Sequence, residues 1–281
     1  MQLTRELMQQ VLDVAIGAGK EILAIYRDES LWQLQQKADD SPLTAADMAA
    51  HYSIEKGLRD LVPGTPVLSE ESDEIPYEDR AGWSHFWLVD PLDGTREFVA
   101  RNDEFSVNIA LVFGHQAVLG VVYAPVTGVG YVAASGLGAW RVQNGEWLQL
   151  HAAQLPVAGE RALTLCESRR HRDPREDDFV TAVQATLGDV SIRVAGSAFK
   201  ICAVAEGTAD AYPRMGPTME WDTGAGQVIV EEAGGAMLDD RGRPLRYNAR
   251  ETLRNGSFIV LGSAREKWLS CWLPLFRNAG Q

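Results

Sequence analysis

The stretch that most constrains this chain is an apolar run, Phe86-Trp87-Leu88-Val89, leading straight into Asp90-Pro91-Leu92-Asp93-Gly94-Thr95. Four consecutive apolar residues closed by a Pro/Gly turn signal read as a buried strand. The strand would deliver two carboxylates three residues apart onto a turn held by Pro91 and released by Gly94. Such a turn can aim Asp90, Asp93 and the Leu92 carbonyl at one point. An all-oxygen donor set suits a hard cation such as Mg²⁺. Gly94 and Thr95 can then offer N–H groups and a hydroxyl to a phosphate. An Asp-Pro turn followed by a surface Asp-Gly would account for the same letters. The position after a buried strand favours the metal reading, and the chemistry indicated is metal-assisted hydrolysis of a phosphate ester.

The chain of 281 residues is 46% hydrophobic and 23% charged, enough for one large domain or two ordinary ones. Its net charge of −13 gives no basic footprint for nucleic acid, so an anionic substrate must be drawn in by cations and a few placed Lys or Arg side chains. Cys166, Cys202 and Cys271 are scattered without metal-ligand spacing and read as core residues of a reducing compartment. The mixed charges of residues 1–6 argue against a secretory signal, and no apolar run is long enough to span a bilayer. A soluble cytoplasmic protein is expected.

Apolar residues at helical spacing (Leu7, Val11, Val14, Ala18, Ile22, Tyr26) predict an amphipathic helix over 4–27. A second helix is predicted over 45–61, with Thr44 as N-cap and Asp47 as its capping-box partner. A short strand, Pro66-Val67-Leu68, delivers Ser69-Glu70-Glu71. After the 90–95 turn, runs at 106–112, 118–123, 130–134 and 139–142 form a meander, giving an α+β first half. Pro156-Val157-Ala158-Gly159 is the candidate boundary between 1–156 and 157–281. Beyond it strands at 163–166, 192–194, 211–212, 236–238 and 257–261 alternate with helices near 176–187, 197–206 and 223–234, an α/β pattern.

Further candidates are scattered along the chain. Glu70 is a third possible ligand, and a carboxylate beside a metal can also orient water. The run Asp73, Glu74, Glu78, Asp79 equally allows a solvated acidic loop there. Asp222, before Thr223-Gly224-Ala225-Gly226, reads as a helix N-cap able to ligate a cation as well. Thr44 and Thr95 carry hydroxyls that can hold a water when bonded to a carboxylate, with Asp39 a partner for Thr95. Ser197 and Lys200 in Gly196-Ser197-Ala198-Phe199-Lys200 suggest a phosphate subsite at a helix start, and Arg214 a bidentate contact. His171 in Ser168-Arg169-Arg170-His171 could face a base or ribose, or simply lie on the surface. No P-loop, nucleophile elbow or zinc spacing is present.

Taken together, Glu70-Glu71, Asp90 through Thr95 and Trp221-Asp222 resemble, in order and spacing, the three metal-binding motifs of the inositol monophosphatase superfamily. The likeness runs from Ser41-Pro42-Leu43-Thr44-Ala45-Ala46-Asp47 to Gly234-Gly235. Gly196 through Lys200 and Tyr212-Pro213-Arg214 make it similar to the branch of bacterial 3'(2'),5'-bisphosphate nucleotidases. The resemblance implies a layered α/β/α/β/α sandwich. It implies removal of the 3'-phosphate of adenosine 3',5'-bisphosphate, giving AMP, with action on the sulfated form as well, and inhibition by Li⁺. Two Mg²⁺ ions, with a third and weaker one near Glu70, would be held by Glu70, Asp90, the Leu92 carbonyl, Asp93 and Asp222. Asp39 and Thr95, with Glu70, would activate water. Leu92, Asp93, Gly94 and Thr95 would face the substrate, and Ser197, Lys200 and Arg214 would bind the nucleotide, with His171 nearby. Gly224 stands where the family usually has alanine and Arg96 where bacterial relatives often have lysine. Activity on inositol monophosphate or a sugar bisphosphate is the alternative within the superfamily, and a nucleotide sensor without turnover is the alternative outside it. A nucleoside bisphosphate is the expected partner. Oligomeric state is left open, and no amphipathic basic helix supports the inner-membrane association described for some relatives.

Overall fold

The computed structural model describes residues 2–36, 42–154, 160–169, 173–262 and 266–279. In chain order the elements are α1 (Arg5–Tyr26), β1 (Gln35–Gln36), β2 (Pro42–Leu43), α2 (Ala45–Leu61), β3 (Val67–Ser69), α3 (Tyr77–Arg80), β4 (His85–Asp93) and α4 (Thr95–Val99). A meander follows: β5 (Ser106–Phe113), β6 (Gln116–Ala124), β7 (Val129–Ala134), β8 (Ala139–Gln143) and β9 (Glu146–Gln149). Then come β10 (Leu163–Ser168), α5 (Pro174–Leu187), β11 (Val190–Ala195), α6 (Phe199–Ala205), β12 (Ala211–Arg214), α7 (Glu220–Glu232), β13 (Ala236–Asp239), β14 (Phe258–Leu261) and α8 (Glu266–Ala279).

Two large sheets organise these elements. A seven-stranded sheet runs β3-β4-β5-β6-β7-β8-β9, antiparallel except for the β3/β4 pair. A five-stranded sheet runs β11-β10-β12-β14-β13, parallel on the β10 side and antiparallel around β14. Three apolar clusters set the layers. One joins α1 and α2 to the outer face of the large sheet through Val11, Ile54, Trp87 and Val121. One fills the space between the sheets with α6 and α7, through Phe86, Ala110, Ile201, Ile229 and Val260. The third packs α5 and α8 on the far face of the small sheet through Phe179, Ile259, Trp272 and Phe276. The order is therefore α/β/α/β/α, the layered sandwich implied by the motifs.

The α1 and α2 expectations hold closely. Thr4 caps α1 by accepting from the Leu7 N–H, and its buried face is Leu7, Val11, Ala18, Ile22 and Tyr26. Thr44 caps α2, and the Asp47 carboxylate accepts from the Thr44 N–H at 2.7 Å. Cys166 and Cys202 are buried in the central cluster and all three cysteines are free. No helix among the described residues is long and apolar enough to cross a membrane. The candidate boundary at 156–159 lies outside the described residues.

Several expectations are corrected. The 90–95 segment is not a free turn. β4 continues to Asp93, with Asp90 opposite Asn108 and Asp93 opposite Ser106, so one extra residue bulges out of the ladder. The cause is local: Pro91 has no N–H, and the Leu92 N–H is taken by Asp90 Oδ1 at 3.1 Å. Gly94, at φ +92°, then starts α4. Helix α7 begins at Glu220, two residues before Asp222, so Asp222 is not the N-cap; its carboxylate instead accepts from the N–H of the cap residue, Met219, at 2.7 Å. Ser197 does not start a helix. It sits at φ +51°, ahead of the cap Ala198. The meander also has a fifth strand, β9, and the chain a C-terminal helix, α8, that the sequence reading lacks; Pro274 lies inside α8.

The small residues of α7 let it lie directly on the large sheet. A Cβ at Gly120 would fall on the backbone carbonyl of Ala225, so neither partner could give way without moving helix from sheet. A Cβ at Gly224 would meet only side chains, Leu88 Cδ2 at 3.0 Å and Ala110 Cβ at 3.2 Å. Gly120→Ala is expected to cost at least about 1–3 kcal/mol of unfolding free energy from overpacking. Gly224→Ala should stay near neutral, because roughly 1 kcal/mol of regained helix propensity offsets the tight fit. Urea denaturation of the two variants measures both; equal destabilisation would contradict this account of the α7–sheet contact.

Candidate active site

A cavity of about 560 Å³ opens where the C-terminal end of β4, the start of α7 and the β11–α6 connection meet. Glu70, Asp90, Leu92, Asp93, Gly94 and Thr95 line one side. Ser197, Lys200, Arg214 and Asp222 line the other. Segments more than a hundred residues apart thus converge. Asp39 and His171 lie outside the described residues.

Each side chain is placed by its element. Glu70 leaves the end of β3, where its N–H donates to the Val89 carbonyl and so ties it to β4. Asp90 is 1% exposed beneath the cavity floor. Asp93 Oδ2 accepts from Asn108 Nδ2 at 3.1 Å and from Ser197 Oγ at 2.7 Å. The Ser197 hydroxyl therefore faces a carboxylate. Lys200 is buried, its ammonium donating to the Ser197 carbonyl at 2.7 Å and the Ala195 carbonyl at 3.3 Å and lying 5.4 Å from the Tyr212 ring centre. Burial pushes its pKa down, with the charge of Asp93 opposing. Arg214, also buried, donates from Nη2 to the Pro217 carbonyl at 2.9 Å.

Electrostatics single out the carboxylates. Burial holds Asp90 well above the usual carboxylate range, and Glu70, Asp93, Asp222 and Glu71 push it further. Asp222 is raised by burial first, then by Asp93 and Glu70, while the Met219 N–H and Arg214 pull it back. Like charges gathered in a buried place need a cation or protons to persist. Among the described residues no three His, Cys, Asp or Glu side chains are gathered so that they could hold a metal ion by themselves. The set fits a cation that keeps waters and takes substrate oxygens alongside a few carboxylates, which is the habit of Mg²⁺.

The structure adds a residue read from the sequence only as a cap. Asp47 Oδ2 accepts from the Thr44 N–H and hydroxyl, at 2.7 and 2.6 Å. Its Oδ1 accepts from the Thr95 hydroxyl at 3.0 Å. Among the described residues, Asp47 is the carboxylate that meets Thr95; Asp39, the partner expected from the sequence, lies outside them. The Thr95 hydroxyl also reaches the Leu92 carbonyl at 3.3 Å. The only signal for this in the chain is Asp47 itself, whose capping role gives no hint of a second bond. Glu104 is a further addition. It accepts from the Gly196 N–H at 2.9 Å and from Arg169 through two bonds, holding the turn that carries Ser197.

The fold and the site match one family. The family model described as the inositol monophosphatase family matches residues 4–273, and the chain belongs to that family. Within it, the chain is 45% identical over 254 residues to the 3'(2'),5'-bisphosphate nucleotidase CysQ of Salmonella typhimurium, covering 90% of this chain and 99% of that protein. It is 44% identical to the CysQ of Escherichia coli K12 over the same shares. The crystal structure of CysQ from Bacteroides thetaiotaomicron superposes with a TM-score of 0.81 at 39% identity, covering 93% of this chain and 98% of that one.

The raised pKa values set a direction for stability. Asp90 and Asp222 bind protons more tightly folded than at the ordinary value of 3.8. Folding stability of the metal-free protein is therefore full below pH 3.8 for these two groups and is lost as pH rises through their elevated folded pKa values. Melting in chelator at stepped pH should show this decline, and Mg²⁺ should raise Tm more at pH 8 than at pH 5, because protons compete with the cation. A Tm gain from Mg²⁺ that is independent of pH would contradict the assignment.

Proposed function

We propose that this chain hydrolyses the 3'-phosphate of adenosine 3',5'-bisphosphate to AMP and phosphate, as a 3'(2'),5'-bisphosphate nucleotidase of sulfur assimilation, with the sulfated nucleotide as a second substrate. The observation that carries the reading is the single cavity that brings four carboxylates, Glu70, Asp90, Asp93 and Asp222, together with Lys200 and Arg214. The names of the relatives at 44–45% identity support the substrate class.

Glu70, Asp90, the Leu92 carbonyl, Asp93 and Asp222 would hold two Mg²⁺ ions, with a third near Glu70. When bound, the ions lower the pKa of water and offset charge on the phosphate and the leaving oxygen. The chain's own residues do the rest. Thr95 Oγ1 can accept a proton from the attacking water while passing its own to Asp47 Oδ1. The Thr44 N–H and hydroxyl hold Asp47 in the orientation needed for that. Glu70 orients the water from the β3 side. Asn108 and Ser197 fix Asp93 by donating to Oδ2. The buried Lys200 and Arg214 supply positive charge to the nucleotide's phosphates in a chain that is otherwise acidic. Gly94 and Arg96 line the same cavity.

Three experiments test the reading. Side-by-side kcat/KM on adenosine 3',5'-bisphosphate and inositol 1-phosphate should favour the nucleotide; a reversed preference would make the chain a sugar phosphatase of the same family. Asp90→Asn should abolish Mg²⁺-dependent turnover while the protein remains folded by circular dichroism, and near wild-type kcat would sink the metal assignment. Thr95→Ala should lower kcat by about 10²–10⁴-fold, the usual worth of a positioned proton acceptor, with KM little changed and partial recovery in Thr95→Ser.

A further inference from the structure

A second cavity, of about 530 Å³, lies between the end of β13 and the connection to β14 and shares no lining residue with the catalytic cleft. Its wall carries Arg241, Arg243, Arg246 and Arg250, set against Asp239 and Asp240. In a chain of net charge −13, this is a local reversal of sign. Asp239 and Asp240 offset only two of the four guanidiniums. Asp239 is spent on Arg243 through two side-chain bonds, at 2.8 and 3.1 Å, and on the N–H groups of Arg241 and Arg243. The guanidiniums of Arg241 and Arg246 make no hydrogen bond or ion pair with any described residue.

The wall is also held rigidly. Arg80 donates to Asn248 Oδ1 and to the Glu251 carbonyl from behind. The Asn248 N–H donates to Glu220 Oε2 at 2.6 Å, and Asn255 Nδ2 donates to the Met219 carbonyl at 2.8 Å. Arg250 is fixed by donating from Nη2 to the Arg254 carbonyl at 2.6 Å. The loop backbone and Arg250 are thus braced, while the exposed guanidiniums of Arg241 and Arg246 are left available for planar, multidentate recognition of an anion.

We propose that this cavity is a second anion site that takes a phosphate dianion, free or as the monoester of a small molecule. Arg241 and Arg246 are its primary contacts, and Arg243 and Arg250 shape its wall. The proposal does not depend on the reaction at the catalytic cleft, because the two cavities are separate.

A chelator removes the cation from the catalytic cleft, and the part of the binding that is lost in a variant of the arginine cavity reports that cavity. Calorimetric titration with inorganic phosphate, and separately with 5'-AMP, at constant ionic strength should show saturable binding. The Arg241→Glu, Arg246→Glu variant should bind at least about tenfold more weakly, the loss of one charge-assisted hydrogen bond or more. Its Mg²⁺-dependent turnover at low phosphate should be unchanged, and Arg246→Gln alone repeats the test with a milder change. Tighter binding of 5'-AMP assigns the site to an organic phosphate; equal binding assigns it to free phosphate. Three results would overturn the proposal: no saturable binding of either probe, equal affinity in wild type and variant, or the same response to chloride.

Discussion

The fold depends on a carboxylate kept almost wholly from water at the end of a central strand, facing three others. Asp90 sits under the cavity floor with Glu70, Asp93 and Asp222 around it. Mutual repulsion in a buried place is costly unless protons or a cation intervene. That one constraint explains why the surrounding backbone is so fully tied. The bulge in β4, the β3–β4 bond at Glu70 and the bonds to Asp93 from Asn108 and Ser197 hold the charges apart and in place.

Helix α7 is the element through which the two sheets share the site. Its glycines and alanine let it press onto β4, β5 and β6, while its first turn brings Asp222 to the cleft. Its start is gripped by the 246–256 loop through Asn255 and Asn248. The same loop builds the arginine-lined cavity, so the catalytic cleft and the second cavity are braced by one set of hydrogen bonds. Packing, rather than any single contact, makes the position of Asp222 reproducible.

Much of the site was legible because its chemistry is written in short local patterns. Asp90, Asp93 and Gly94 form one such pattern, Glu70 follows a recognisable strand, and Asp222 falls in the first turn of a recognisable helix. The layered fold was legible only through the family that the same motifs, taken together, resemble. Asp47 was not, because a capping carboxylate has two oxygens and the sequence accounts for only one. The role of Ser197 was misplaced for a related reason. Its left-handed backbone, enforced by the Glu104 contact to Gly196, turns the hydroxyl toward Asp93, and no local propensity predicts that. Helix α8 escaped because an internal proline, Pro274, argues against a helix, while its burial against α5 overrides that preference.

The sequence alone determined which residues could meet a hard cation, where most of the strands and helices run and which family the motifs resemble. Those properties are set by side-chain type and by spacing within a few residues, which a linear chain displays directly. Only the tertiary structure decided that β4 bulges at Pro91, that Asp47 meets Thr95 and that five arginines between 241 and 254 divide between two cavities. Each of these is an encounter between segments brought together by packing, and its geometry exists only once the layers have closed.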